Sequence, residues 1–388
     1  PLLGVMKAKD ATAAYADEVI YLFMGGFFLA VAMERWNLHK RIALYIIKLV
    51  GASPSKMILG FMTATALLSM WISNTATAVM MVPIGIAVVS QITGLTKAEV
   101  NEGVEGRKYE TNFAKSLMLG VAYAASIGGV ATIIGTPPNA IMKGMLKSLY
   151  GLEIGFAQWM LFGVPLSLIM LIVVWLLLTK VLFKTGDLKL AGSMELINEE
   201  IEQLGRMSKP EKRVLAVGGT MALMWIFRTL ITKHVPGLGM ISDTTIAIAG
   251  AAALFIIPVD FKKDINLLDW KTAVKIPWDI VLLFGGGLTL ANGFSKTGLA
   301  AWLSSSLTAL DGVSMIVFIL IVVLLTIFLT EITSNTATAT LLVPIMGASA
   351  IAMGVHPCAT VVSACVAASY AFMLPVATPP NAVIFGSG

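Results

Sequence analysis

The sequence predicts an all-α, polytopic membrane protein made of two inverted repeats, each with one re-entrant hairpin and one discontinuous helix. Three observations carry that expectation. Of 388 residues, 57% are hydrophobic and 13% charged, against about 25% charged in an ordinary soluble domain, and mean hydropathy is +0.87. So much apolar surface calls for lipid around it. Next, Ser73-Asn74-Thr75-Ala76-Thr77-Ala78, followed by Val82-Pro83-Ile84, recurs 261 residues later as Ser334-Asn335-Thr336-Ala337-Thr338-Ala339, followed by Val343-Pro344-Ile345. Nine of twelve positions are identical between Ser73–Ile84 and Ser334–Ile345. Finally, each copy is followed by Thr-Pro-Pro-Asn, at Thr136–Asn139 and Thr378–Asn381, where two prolines remove backbone donors and forbid a continuous helix.

Residues 16–34 form one apolar run long enough to span a bilayer. Residues 38–50 are amphipathic, with Lys40, Arg41 and Lys48 on one side, and read as an interfacial helix. Residues 56–90 are apolar but interrupted by Ser69, Ser73, Asn74, Thr75 and Pro83. A straight crossing would put those polar groups in lipid, whereas a re-entrant hairpin buries the Ser-Asn-Thr turn in protein. Residues 91–111 are a polar surface loop. Residues 113–149, broken by Gly128-Gly129 and by Gly135–Asn139, read as a discontinuous helix. Residues 157–183 are a long span, 184–213 a charged amphipathic linker on the cytoplasmic side, and 213–232 and 242–258 two further spans before a basic loop with Lys262, Lys263, Lys271 and Lys275. The pattern then restarts, since Asp279–Gly287 matches Glu18–Gly26 at the same shift. Residues 298–310 parallel the interfacial helix, 313–354 the hairpin and 357–388 the broken helix. The domains are therefore repeat 1 (16–183), the linker (184–213) and repeat 2 (214–388), a duplication of transporter scale. The start at Pro1 and the end at Gly388 within an apolar segment read as truncation at both ends.

Topology follows by counting. With both hairpins re-entrant, five crossings separate Glu18 from Asp279, and an odd number turns the second repeat upside down. Loops 35–56, 91–115, 180–213 and 259–277 hold 20 of the 27 Lys and Arg, which makes that side cytoplasmic by the positive-inside rule. The net charge of +5 thus reports topology in the inner (plasma) membrane and gives no reason to expect a nucleic-acid partner. Cys358 and Cys365 lie in an apolar run, where a disulfide framework is not expected. His39, His234 and His356 have no metal or triad spacing.

Inverted hairpins would bring both Ser-Asn-Thr turns to the midplane. Helix N-termini there expose unpaired N–H groups and partial positive charge, which suit a carboxylate or another oxyanion. Free carbonyls at helix breaks and nearby hydroxyls are hard, neutral oxygens suited to sodium. Ser69 precedes Ser73 by four residues and Thr330 precedes Ser334 by four, so a hydroxyl recurs one helical turn before each motif. No Lys or Arg lies within either motif. A dianion held by neutral dipoles alone would be poorly compensated, and bound cations would both solve that and couple ion flow to solute flow.

These paired motifs and paired Thr-Pro-Pro-Asn breaks resemble the divalent anion:sodium symporter family over nearly the whole chain. The resemblance implies an all-helical polytopic membrane transporter, usually a homodimer, that moves its binding domain like an elevator and uses at least two Na⁺ ions. It implies one sodium site at Ser69, Ser73, Asn74 and the Gly135 carbonyl, and a second at Thr330, Ser334, Asn335 and the Ala377 carbonyl. It places a small dianionic substrate against Asn74, Thr75, Asn335 and Thr336, with Thr136, Pro137, Thr378 and Pro379 lining the site. Sodium-coupled import of C4-dicarboxylates (succinate, malate, fumarate) is the leading expectation. The alternatives are a sulfate or tricarboxylate carrier, or a sodium-independent dicarboxylate exchanger. The family carries further helices before the point where this chain starts.

Competing readings are weaker. A channel needs a continuous polar path, and an intramembrane enzyme needs a nucleophile with its base or a metal-ligand set, so no enzymatic activity is expected. Ser69 and Thr330 could back-bond to their own helices. Glu331 is an intramembrane acid, a functional candidate by default, whose counterpart in the first copy is Met70. Asp243 reads as interfacial.

Overall fold

The computed structural model describes residues 1, 4–51, 53–94, 108–186, 188, 192–260, 265–299, 302 and 314–386. Part of the polar loop (95–107), Lys262 and Lys263, and most of the segment paralleling the interfacial helix (300–301 and 303–313) lie outside the described residues.

The described chain is nearly all helix: α1 (Ala8–Ala13), α2 (Glu18–Arg35), α3 (Leu38–Val50), α4 (Pro54–Ser69), α5 (Asn74–Thr93), α6 (Lys108–Val130), α7 (Pro137–Tyr150), α8 (Phe156–Leu176), α9 (Ser193–Leu204), α10 (Lys209–His234), α11 (Asp243–Ile256), α12 (Trp270–Ala273), α13 (Trp278–Lys296), α14 (Met315–Ile332), α15 (Asn335–Ala352), α16 (Cys358–Ala368) and α17 (Pro379–Gly386). A π-helical turn, Leu177–Leu182, extends α8. The only strands among the described residues form a two-stranded antiparallel ribbon, Pro258–Asp260 with Ile265–Asn266, in the basic loop.

Local chemistry sets the helix ends. Asp17 caps α2 by accepting from Val19 N at 2.9 Å, and Ser208 with Glu211 forms a capping box on α10. Ser73 and Ser334 cap α5 and α15, accepting from Ala76 N at 3.2 Å and Ala337 N at 3.1 Å. Pro137 and Pro138 occupy the first turn of α7, where a missing N–H costs nothing.

Six helices among the described residues are long and apolar enough to cross a bilayer, Asn74–Thr93, Lys108–Val130, Phe156–Leu182, Lys209–His234, Met315–Ile332 and Asn335–Ala352; a bent pair, Ala8–Ala16 with Glu18–Arg35, makes up to seven. Their outward faces are greasy. Leu161, Leu168 and Ile169 on α8, Leu223 and Leu230 on α10, and Ile316, Leu324 and Phe328 on α14 are all exposed, a surface that belongs in hydrocarbon. The protein is a multi-pass membrane protein.

Two expectations need correction. Arg41 is not a solvent-facing cation of α3. It is buried, its Nε 2.6 Å from Glu211 Oε1, and it donates to the carbonyls of Gly205 and Leu204. It ties α3 to the start of α10, while Lys40 pairs with Glu200 of α9 at 2.7 Å. The helical pattern of charge could not distinguish a paired interior guanidinium from a surface one. Gly128 and Gly129 do not break a helix either: α6 runs through them to Val130. They are glycine because α4 and α5 come so close. A Cβ on Gly128 would sit 2.1 Å from the Ala66 carbonyl oxygen, and one on Gly129 would sit 2.5 Å from Asn74 Oδ1.

Candidate functional site

Both Ser-Asn-Thr turns open onto one cavity of about 640 Å³. Ser73, Asn74 and Thr75 line it from α5, and Ser334, Asn335 and Thr336 from α15. Gly135, Thr136 and Pro137 from the α6–α7 break, and Ala377, Thr378 and Pro379 from the α16–α17 break, complete the polar part of the wall. The opposite wall is α2 and the start of α13, contributing Phe23, Phe27, Glu34, Asp279 and, just before α13, Lys275. Of the residues that the resemblance assigns to the sodium and substrate sites, all but two therefore line this space. Ser69 and Thr330 are fully buried behind it.

The front layer is a set of donors. The caps occupy the third N–H of each helix, and Thr77 N and Thr338 N bond to Ser73 O and Ser334 O at 3.0 and 2.9 Å. Among the described residues this leaves the N–H groups of Asn74, Thr75, Asn335 and Thr336 without an acceptor, two on each side of the cavity. They sit at the positive ends of two helix dipoles. The proline-headed α7 has no such donors in its first two positions and adds mainly carbonyls.

Behind the donors lies a layer of oxygens, built the same way twice. Ser69 Oγ is 2.6 Å from Asn74 Oδ1 and 2.7 Å from the Ala125 carbonyl oxygen. Thr330 Oγ1 is 2.8 Å from Asn335 Oδ1 and 2.9 Å from the Ala368 carbonyl oxygen. Each hydroxyl has one hydrogen, so wherever the Asn Oδ1 faces it beside the carbonyl, one contact in the triplet is unsatisfied. The inward amide atom of Asn74 also lies 3.2 Å from the Gly135 carbonyl oxygen and 3.1 Å from that of Ala125. With Nδ2 turned inward, Asn74 donates to these groups. With Oδ1 inward, four oxygens converge, an arrangement that a small hard cation relieves. Neither hydroxyl back-bonds to its own helix, as Thr65 and Thr326 do to Phe61 and Val322 one turn earlier.

Close approach of backbone builds this layer. A Cβ on Gly135 would lie 2.5 Å from the Gly129 carbonyl oxygen and 2.9 Å from that of Ser69. The unwound segments are braced by residues whose roles sequence reading missed. Asn139 Nδ2 donates to the carbonyls of Thr132 at 2.7 Å and Val130 at 3.1 Å, and Asn381 Nδ2 to those of Ala371 at 3.0 Å and Leu374 at 3.1 Å. The Asn after each Pro-Pro thus ties off the carbonyls that the helix break frees. Thr132 Oγ1 donates to Met70 O at 2.5 Å in the first half. In the second half the Glu331 carboxylate does the tying: it accepts from the N–H groups of Phe372, Met373 and Leu374 at 2.8, 3.0 and 2.8 Å. Glu331 is buried and spends its charge on backbone, away from the cavity lining.

Asp243, at the end of a span as expected, is paired within the protein. It starts α11 but is buried, with Lys143 Nζ 3.0 Å and Arg228 Nε 2.8 Å from its carboxylate.

Known proteins resemble this chain. Residues 2–388 match the profile of the sodium:sulfate symporter transmembrane region. The sodium-dependent dicarboxylate transporter SdcS of Staphylococcus saprophyticus is 43% identical over 389 residues, covering 100% of this chain and 74% of that protein. The protein of the same name from Staphylococcus aureus is 46% identical over 390 residues, with the same coverage. The crystal structure of the YdaH transporter of Alcanivorax borkumensis, described as having an unusual topology, matches with a TM-score of 0.59 over 100% of this chain and 80% of that one; at 15% identity this is a likeness of fold. A profile spanning the whole chain, together with relatives above 40% identity, places this protein in the sodium:sulfate symporter family, the divalent anion:sodium symporters.

Proposed function

We propose that this protein imports C4-dicarboxylates such as succinate, malate and fumarate together with sodium. The observation that carries the reading is the two-layer site. Four free N–H groups lie at one cavity, and behind each pair a hydroxyl, an amide and a carbonyl converge. The dianion meets Asn74, Thr75, Asn335 and Thr336, between Thr136-Pro137 and Thr378-Pro379. One sodium ion, as co-transported substrate, sits among Ser69, Ser73, Asn74 and the Gly135 carbonyl. A second sits among Thr330, Ser334, Asn335 and the Ala377 carbonyl. Two positive ions beside a doubly negative solute leave little net charge to carry past lipid, so the loaded site moves and the half-loaded one does not.

The proposed architecture is the inverted pair, repeat 1 over 16–183 and repeat 2 over 214–388, joined by the cytoplasmic linker 184–213. Hairpins 56–90 and 313–354 re-enter and broken helices 113–149 and 357–388 complete the moving part, which rides like an elevator against a homodimeric scaffold. In support, the turns between α4 and α5 and between α14 and α15 both contribute to the lining of the shared cavity. The names of the relatives favour dicarboxylate; the family description keeps sulfate as the second reading.

The test is uptake of labelled succinate into proteoliposomes with and without an inward sodium gradient, competed by sulfate and by citrate. Uptake that ignores sodium refutes symport and favours exchange. Sulfate displacing succinate at equal concentration refutes the dicarboxylate assignment.

A further inference from the structure

The cavity lies on a seam. On one side are the helices that carry the motifs and their breaks; on the other is α2, which runs the length of the seam. Glu34, near the far end of α2, lines the cavity together with Lys275. Glu18 is at the other end, 16 residues away and therefore about 24 Å along the axis. At that end charged side chains bridge the helices around a second, smaller cavity of about 250 Å³.

Lys143 and Lys147 both belong to α7, the helix that begins at the cavity with Pro137. Lys143 Nζ is 3.0 Å from Asp243 Oδ2, and the same oxygen accepts from Phe156 N at 3.1 Å. Arg228 Nε is 2.8 Å from Asp243 Oδ1. The side chains of Lys143 and Asp243 are 10% and 5% exposed, so this pair is interior, while Arg228, Lys147, Glu18 and Glu153 around it are partly exposed. Lys147 pairs with Glu18 and, at 2.6 Å, with Glu153. Behind the charges, Phe156 stacks on Trp225 at 4.6 Å between centroids, and Trp71 stacks 6.3 Å from Phe156. Trp225 Nε1 donates to Asp243 O at 2.9 Å.

We propose that this cluster is the outer gate, an ion-pair latch that holds the protein with its cavity open toward the cytoplasm and must break when the cavity turns outward. The inference rests on the transport reading and on the charge-based orientation, which puts Glu34 and Lys275 beside the basic inner loops. Replacing a buried ion pair by apolar packing often leaves a protein as stable or more so. A buried pair is better suited to selecting between states, because breaking it exposes charges that water can solvate only once the seam opens. The aromatic stack moves with the latch, since Phe156 supplies both a ring to the stack and its N–H to Asp243.

The test uses the full chain in right-side-out membrane vesicles. Cys358, which is partly exposed, is replaced (Cys358→Ser), and the buried Cys365 is kept. Val79→Cys, on the cavity wall, reports access to a membrane-impermeant maleimide added outside. The expected result is slow labelling in that background and labelling at least about fivefold faster when Asp243→Asn is added. Lys147→Gln, at a half-exposed site, should accelerate labelling in the same direction and decides alone if Asp243→Asn fails to insert. Unchanged outside labelling in the inserted variants overturns the latch. Protection of Val79→Cys by succinate plus sodium reports the transport reading separately: its loss sinks that reading without bearing on the seam.

Discussion

Gly129→Ala is the sharpest probe of the oxygen layer. The glycine lies within α6, and the three atoms nearest to where its Cβ would sit all belong to the Asn74 amide. An added Cβ would sit 2.5 Å from Asn74 Oδ1, 3.1 Å from its Nδ2 and 3.2 Å from its Cγ. Ordinary van der Waals contact begins at 3.4 Å, so the amide must retreat by about 0.9 Å (3.4 − 2.5). Metal-ligand distances tolerate roughly ±0.2 Å, so the first sodium site cannot keep its geometry. Overpacking of this kind costs about 1–3 kcal/mol. Charged to the ion-bound state, that is a five- to 150-fold weaker sodium affinity on the scale where about 1.4 kcal/mol is tenfold. The assay is the sodium dependence of succinate uptake in proteoliposomes, with Gly219→Ala as the control because nothing lies within 4 Å of the Cβ it would add. A sodium curve for Gly129→Ala that superposes on the control would refute the placement of a cation beside Asn74.

Asn74→Ala and Asn335→Ala should each abolish uptake while the protein still inserts; near-full uptake by either would remove that residue from the site. Ser69→Ala or Thr330→Ala should raise the sodium concentration needed for half-maximal uptake, and an unshifted curve would assign those hydroxyls to packing. Glu331→Gln replaces one acceptor oxygen by a donor facing backbone N–H groups. It should lower thermal stability by about 1–3 kcal/mol, read as a fall in Tm in detergent, and an unchanged Tm would show the carboxylate to be dispensable to the loop. Arg41→Gln should cost about 3–5 kcal/mol, as expected for a buried pair that loses one partner, and Glu211→Gln should cost a comparable amount; if neither moves the Tm, the α3–α10 tie contributes nothing.

The cavity-lining residues were legible because polar groups are costly in so apolar a chain, and their doubling at a fixed shift marks them. Ser69 and Thr330 were found by their four-residue offset, but the alternative that they bond to their own helices fell only when Ala125 and Ala368 turned out to be their carbonyl partners. Arg41 and the Gly128-Gly129 pair were misread, and the partners of Asp243 were not foreseen, for one shared reason. A local pattern states what a residue is, and burial depends on what another helix brings to it. Glu211 is 170 positions from Arg41, and Lys143 is 100 positions from Asp243.

From the sequence alone come the apolar composition that demands a bilayer, the duplicated Ser-Asn-Thr string, and the Pro-Pro pairs that must interrupt a helix whatever surrounds them. Each is a property of covalent structure or of transfer between water and lipid, and needs no partner to act. The tertiary fold alone decides that both turns meet at one cavity, that Asn139, Asn381 and Glu331 spend their polarity on freed backbone groups, and that α7 is clamped to α10 and α11 through Asp243. These depend on distances between residues far apart in the chain, which packing sets and no local pattern encodes.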